Sequence, residues 1–485
     1  MLKEYGLNDK TFSVTLDNAS ANTSAMGRLT PLLSGYVGDV FLHQRCACHI
    51  LNLIVKSGLK RIQPYLESFR TIISFLNSSN QCIALYKSYC IAMNTRPRKF
   101  GLDMEVRWNS TYLMLKHLLP YRNTFDVFIQ THYPRAVGEP LLLSDDHWYV
   151  AEKILVFLEL FYDSTCVLSG VYYPTSSLMM HHIIQIAKHL NSYEHDRLLG
   201  TVVFPMQTKF LKYWRDIPLL YSFAFILDPR AKLRGFNRVL SILAGVTHHD
   251  YSGYLTLVRA QLTEVFNKYE AKFGAVPSVR PSQSTRTGKK RTNWGMIYGD
   301  DDDDLFSTPI GGTGSSSNPT PSASLSRHTS ASALLQAASN CASLGAGSEL
   351  SAYLDSDTVQ KYDDDFNLLT WWQDHKLTYP SLSMLAKDVL TVPVSTISSE
   401  SAFSLTGRII EERRRRLTSE MVEMLTCIKD WEEGNARTQH TVENKELEDS
   451  FSDLYLDDEQ VSIDTPESSQ SQSQTPTDPQ PHVQD

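Results

Sequence analysis

Between about Pro277 and Ser348 the composition collapses into Ser, Thr, Pro and Gly, with runs such as Gly311-Gly312-Thr313-Gly314. A segment this poor in large apolar groups is expected to stay disordered, because burial cannot repay the entropy of ordering it. The chain is therefore cut into a long N-terminal part and a short C-terminal part. Any large core must be built from the two together or from each alone. From Glu432 onward the chain turns acidic and rich in Ser, Gln, Thr and Pro, and this tail is also expected to be disordered.

The remaining sequence has ample material for a core, with 42% hydrophobic residues overall. The formal net charge of −8 argues at first against a nucleic-acid binder. Much of it belongs to the tail, whose last fifty residues carry about ten net negative charges. Without the tail the body is near neutral, and a local basic patch is allowed. Seven scattered cysteines do not make a disulfide framework and fit a reducing compartment. The first residues, Met1-Leu2-Lys3-Glu4-Tyr5, contain no apolar core of a signal peptide. The longest apolar run, Ile154 to Leu160, is far short of the ~20 residues that cross a bilayer. The expectation is a soluble intracellular protein with no membrane partner.

Up to about Tyr121 the pattern alternates between strand and helix. Phe12 to Leu16 reads as a short strand ending in the turn signal Asp17-Asn18. A polar helix follows to about Leu33, stopped by Gly35, and Val40-Phe41-Leu42 reads as a second strand. Ile50, Leu51, Ile54, Val55 and Leu59 then have helical spacing. From Trp148 to Tyr269 every periodic segment reads as helix, including Val150–Leu168, Ser176–Leu190, Val202–Trp214 and Tyr251–Tyr269. Beyond the low-complexity stretch, helices are expected over Asp364–Asp374, Ser381–Val389, Ser398–Leu405 and Ser419–Trp431.

Five stretches occur in a telling order: Thr15-Leu16-Asp17-Asn18-Ala19-Ser20-Ala21-Asn22, Arg45-Cys46-Ala47-Cys48-His49-Ile50-Leu51-Asn52-Leu53, Arg107-Trp108-Asn109-Ser110-Thr111-Tyr112, Leu227-Asp228-Pro229-Arg230, and Ser398-Ser399-Glu400-Ser401-Ala402-Phe403-Ser404 with Gly407-Arg408-Ile409. Together they resemble the hAT transposase superfamily, most closely its plant ricesleeper-type members, over about Lys10 to Glu433. The resemblance implies an α/β, ribonuclease-H-like core interrupted by an all-helical insertion, followed by a helical C-terminal dimerisation region. On that basis residues 1–125 are the first part of the core and 126–275 the helical insertion. Residues 276–348 are the disordered linker, 349–433 the dimerisation region and 434–485 the acidic tail.

The resemblance also implies DNA strand chemistry by three carboxylates holding two divalent metals. Such a centre needs acidic side chains converging on ions about 3.5–4 Å apart, and Mg2+ or Mn2+ would suit those hard oxygens if the chain is catalytic. Asp17 matches the family's second catalytic Asp, and Glu400 matches its Glu. Read without the resemblance, Asp17-Asn18 is a turn and helix cap, and Ser398-Ser399-Glu400 a capped helix start. The family's first Asp, on an upstream strand, has no match among the sixteen residues before Asp17, and the core is expected to be N-terminally incomplete. No Cys-x-x-Cys paired with His-x-x-x-His is present, so the zinc finger that such proteins use to read DNA ends is also expected to be missing.

Cys46 and His49 have zinc-like local spacing but no second pair of ligands, and the resemblance implies a packing or DNA-positioning role near the site. It assigns Arg107 and Trp108 to DNA, Arg through phosphate and Trp through stacking on an unpaired base; the plain alternative is a buried Trp beside an exposed Arg. Arg413, Arg414, Arg415 and Arg416, with Arg408, form the densest positive run, either a phosphate contact or a solvated loop. Lys289-Lys290-Arg291 has the composition of a nuclear import signal. Trp371, Trp372, Leu382, Leu385, Met424 and Leu425 offer more apolar surface than a small helical unit buries alone, which suits both core packing and a homodimer contact. The expected function is a nuclear, transposase-derived, DNA-binding protein that self-associates and is inactive as a nuclease. The alternatives are an active metal-dependent transposase with its third carboxylate supplied elsewhere, and a protein–protein scaffold without DNA.

Overall fold

The structure is a computed structural model that describes residues 10–33, 37–38, 40–104, 107–132, 143–274, 348–359, 366–397, 399–400 and 417–434, together with residues 4 and 6. The expected disordered linker and acidic tail, the Gly35 helix stop, the Lys289-Lys290-Arg291 triplet and the Arg413–Arg416 run lie outside the described residues.

The chain begins with β1 (Val14–Leu16), α1 (Ser20–Leu29), β2 (His43–Arg45) and α2 (Ala47–Leu59). The two strands are parallel, with Val14 opposite His43 and Leu16 opposite Arg45. A parallel pair needs a crossover, and α1 supplies it. The second strand is three residues later than its apolar pattern suggested. Val40-Phe41-Leu42 is a turn, and the strand is the polar run His43-Gln44-Arg45. Burial explains the difference. Phe41 is fully buried, its ring 5.3 Å from Phe12 and 5.2 Å from Phe223. Leu42 packs with Met26 and Leu33, and its carbonyl accepts the Val14 N–H at 2.7 Å, which starts the ladder. These apolar residues anchor the strand without being part of it.

Helices α3 (Gln63–Leu76), α4 (Asn80–Ala92), α5 (Trp108–Leu118), α6 (Arg122–His132), α7 (Asp145–Leu168), α8 (Met179–Ser192), α9 (Leu199–Trp214), α10 (Leu219–Ile226), α11 (Lys232–Thr247) and α12 (Ser252–Phe273) follow. The run from Ala224 to Ile226 closes α10, and Leu227 is its C-cap. Helix α2 lies against α9 and α7. The approach to α9 is close at Gly58, where a Cβ would stand 2.8 Å from the Val202 Cγ1 atom. Helix α10 is buried on nearly all sides, which explains why it is apolar all round.

After the linker come α13 (Glu349–Asp355), α14 (Leu368–Asp374), α15 (Pro380–Leu390) and α16 (Ser419–Gly434). The first three complete the core made by the N-terminal part. Tyr353 donates its hydroxyl to the Ile226 carbonyl at 3.0 Å, and the Trp372 indole N–H donates to the Leu227 carbonyl at 2.9 Å. Tyr269 on α12 donates to Asp388 at 2.6 Å. The strand-like stretch after α15 reaches the sheet, where the Thr15 hydroxyl donates to the Pro393 carbonyl and the Ala47 N–H to the Val394 carbonyl, both at 2.8 Å. Buried apolar residues from Val37 to Val394 form one contiguous cluster. Among the described residues no helix is long and apolar enough to cross a membrane.

Candidate nucleic-acid interface

Cys46 organises the corner that carries the sequence motifs. Its N–H donates to the Leu16 carbonyl at 2.7 Å, so it continues the pairing of β1 with β2. It is also the N-cap of α2, where its sulfur accepts the His49 N–H at 3.4 Å. The same sulfur accepts the Thr396 N–H at 3.3 Å and lies 3.9 Å from the Ser395 hydroxyl. The Cys-x-x-His spacing is thus that of a cap and its third helical residue, a geometry in which a cap atom meets an otherwise orphan N–H. Cys48 borders the same cleft, its thiol 3.9 Å from the Thr165 carbonyl. Burial pushes that thiol well above the usual range, so it is an inert packing group.

Two carboxylates follow residues that bond to Cys46. Asp17 follows Leu16, and its Oδ1 accepts from the Ala19 N–H at 2.9 Å and the Asn22 side-chain amide at 2.7 Å. It therefore closes the turn that leads into α1, whose N-cap is Ala19. Glu400 lies one turn after Thr396; its N–H donates to the Thr396 carbonyl at 3.0 Å, and its Oε1 accepts the Thr396 hydroxyl at 2.9 Å. Glu400 lines a cleft of about 90 Å³ together with His49, Asn52, Arg107, Trp108 and Asn109, and Asp17 is not among its lining residues. The donor set does not fit a two-metal centre. One Asp17 oxygen already accepts two hydrogen bonds, and among the described residues no three His, Cys, Asp or Glu side chains are grouped to hold an ion.

Arg107 and Trp108 stand where α5 starts, on the far wall of the cleft. The Ser110 hydroxyl donates to the Arg107 carbonyl at 2.6 Å and accepts the Met104 N–H at 2.8 Å, which fixes the turn before the helix. The Trp108 N–H points to the Asn52 side-chain oxygen at 3.4 Å, joining α5 to α2. Trp108 is 3% exposed, with its ring against Tyr112. Stacking on a base is therefore corrected to a core role, because a ring 3% exposed offers no open platform even though the residue borders the cleft. Asn52 and Asn109 are polar lining residues that sequence reading passed over. Nothing in their spacing separated them from ordinary helical asparagines.

The Leu227-Asp228-Pro229-Arg230 motif lies away from this cleft. Arg230 donates to both Asp228 oxygens, at 2.9 and 2.6 Å, and its guanidinium sits 4.5 Å from the Phe366 ring centre. Both partners are buried, and the motif is a structural joint between the two parts of the chain.

The residues expected at a dimer contact divide in two. Trp372, Leu382 and Leu385 are corrected to core residues, the last two fully buried, since they seal α14 and α15 onto the N-terminal part. Trp371 is half-buried and stacks on His375 at 3.8 Å. Met424 is 55% exposed and Leu425 half-buried on α16. Met421, Ile428 and the 71% exposed Trp431 extend the same three-and-four spacing, leaving an apolar stripe open along α16.

Three family models match the chain. Residues 349–432 match the hAT family C-terminal dimerisation region, 44–157 the ZBED1 RNase-like helical domain, and 177–269 the hAT-like transposase, RNase-H fold. The chain is 30% identical over 439 residues to the putative AC transposase of Zea mays, across 89% of this chain and 50% of that protein. It is 27% identical over 453 residues to the zinc finger BED domain-containing protein RICESLEEPER 1 of Oryza sativa subsp. japonica, across 89% of this chain and 57% of that one. The corresponding DAYSLEEPER protein of Arabidopsis thaliana is 25% identical over 451 residues, across 91% and 57%. The chain spans about half the length of the curated relatives it matches.

Proposed function

Because this chain is a transposase-derived member of the hAT family and carries that family's C-terminal dimerisation region, we propose that it binds DNA in the nucleus as a homodimer and does not cut it unaided. The observation that carries the DNA reading is the cleft at the start of α2. Arg107, His49, Asn52 and Asn109 line it, and each can donate a hydrogen bond to phosphate or base oxygens. The Cys46 hub holds this wall rigid, and Glu400 limits how closely a phosphate approaches. Strand cleavage would need a further carboxylate, because among the described residues no third acidic side chain joins Asp17 and Glu400 to hold two ions. Self-association is assigned to the open apolar stripe of α16, which lies within the matched dimerisation region.

The test is binding of the purified chain to duplex DNA across a salt series, with and without Mg2+, with strand cleavage read on the same samples. Salt-sensitive binding without cleavage is the expected result. Mg2+-dependent cleavage lost in Asp17→Asn or Glu400→Gln would overturn the inactive reading. Absence of binding at every salt would overturn the DNA reading.

A further inference from the structure

A second cavity, of about 290 Å³, opens on the other side of Trp108. It lies where α2 ends and α3 begins, and Lys56, Lys60, Gln63, Arg70 and Thr111 contribute to its wall. Three of its lining side chains are cationic and none is a carboxylate. Arg70 is already compensated, since it donates to both Asp103 oxygens at 2.7 Å and to Glu67 at 2.7 Å. That pairing turns Arg70 into a fixed wall. Lys56 and Lys60, one helical turn apart, have no carboxylate within ion-pair distance among the described residues. Cations do gather at helix C-termini, and the last turn of α2 would attract these two. The helix end does not explain why they border a concave site whose remaining polar lining is a Gln amide and a Thr hydroxyl.

We propose that this cavity seats the backbone phosphates of the DNA strand that runs on from the Arg107 cleft past Trp108. The inference rests on the DNA-binding reading above and adds a place and two residues to it. Trp108 belongs to the walls of both cavities, so a strand leaving one passes directly into the other. Lys56 and Lys60 are the charges free to neutralise phosphate, and Gln63 and the α5 face fix its height above the helix.

The experiment compares the full chain with the double variant Lys56→Gln/Lys60→Gln, the conservative pair Lys56→Arg/Lys60→Arg, and Arg259→Gln, at an exposed position of α12, as a single-charge control. Each is titrated with the same duplex from low to high salt. The Gln pair should flatten the log–log salt slope by about 0.9 for one phosphate contact or about 1.8 for two. The Arg pair should restore it and Arg259→Gln should leave it unchanged. If the parent chain binds DNA and the Gln pair keeps its slope, the phosphate seat is wrong while the DNA reading stands. If the Gln pair and Arg259→Gln flatten the slope equally, diffuse charge replaces the seat. If the parent chain does not bind, both readings fall together. Melting curves of each variant establish that the comparison is between folded proteins.

Discussion

Replacing Lys232 by Met should loosen the joint between the two parts of the chain. Lys232 opens α11 with a left-handed backbone, φ 51°, and its side chain is buried. Its ammonium donates to the carbonyls of Tyr353, Ser356 and Asp357 at 3.0, 2.7 and 2.9 Å, and to the Ser356 hydroxyl at 2.7 Å. It also lies 4.9 Å from the Tyr353 ring centre. Those acceptors end α13, so one cation satisfies a helix C-terminus that begins right after the linker. Met keeps the apolar stem and the strained backbone, and the comparison isolates the ammonium. Hydrogen bonds to charged groups are worth about 1.5–3 kcal/mol each, and burying the ammonium, which lowers its pKa, takes back part of that sum. The net loss should be about 1–3 kcal/mol, the cost of leaving buried carbonyls without their donor. Hydrogen exchange would show it as lost protection over residues 348–357 before global unfolding, and denaturant titration would give its size. A midpoint within error of the parent chain, with residues 348–357 still protected, would refute the idea that this lysine joins the two parts.

Other outcomes follow from the same contacts. Burial lowers the pKa of His181 to about 4 and of His182 to about 3, with His182 Nδ1 3.1 Å from the Ser164 hydroxyl. The unfolded chain binds more protons than the folded one between these values and about 6.5, so stability should fall as pH drops below about 6.5, by up to about 1.4 kcal/mol per pH unit for each histidine. Urea midpoints at pH 7 and 5 test this, and His182→Asn should flatten the dependence. Asp228→Asn leaves the Arg230 charge buried without its counter-charge and should cost about 3–5 kcal/mol by thermal or denaturant melting, far more than exposed-pair variants such as Glu264→Gln. Met424→Glu places a charge in the exposed stripe of α16 and should shift sedimentation towards monomer without changing the melting of the core. An unchanged dimer would locate self-association elsewhere.

Helical content was legible wherever periodicity was strong, as in α2, α7, α9 and α12, because burial of one face leaves its spacing in the chain. What escaped was decided by partners distant in sequence. The β2 strand is polar because its register is set by Val14 and Leu16, and the apolar residues before it are anchors. Trp108 and Trp372 are each open in sequence to a core or a functional reading and both are core, since composition alone does not distinguish a ring that meets a ligand from one that meets Leu227. The nearness of Asp17 and Glu400 to one hub was implied only by resemblance. Its physical cause is Cys46, whose N–H meets the Leu16 carbonyl before Asp17 and whose sulfur meets the Thr396 N–H one turn before Glu400, while the spacing to His49 hinted only at metal chemistry. Lys56 and Lys60 carry no signal of their own in the sequence, because the cavity they border is closed by α3 and α5.

The Cys46–Thr396 contact spans 350 residues, and this has a consequence for the order of events during synthesis. Chains emerge N-terminus first at about 5–20 residues per second, and early segments begin folding before later ones exist. Asp17, Cys46, His49 and Arg107 are all made early, but the Glu400 wall of the cleft arrives only after the whole helical body and the linker. For much of its translation the nascent protein therefore carries a half-built groove with no acidic gate. A ribosome that stalls, or a transcript that ends before the codon for Pro393, would release a chain with that groove exposed and the edge of β1 uncovered.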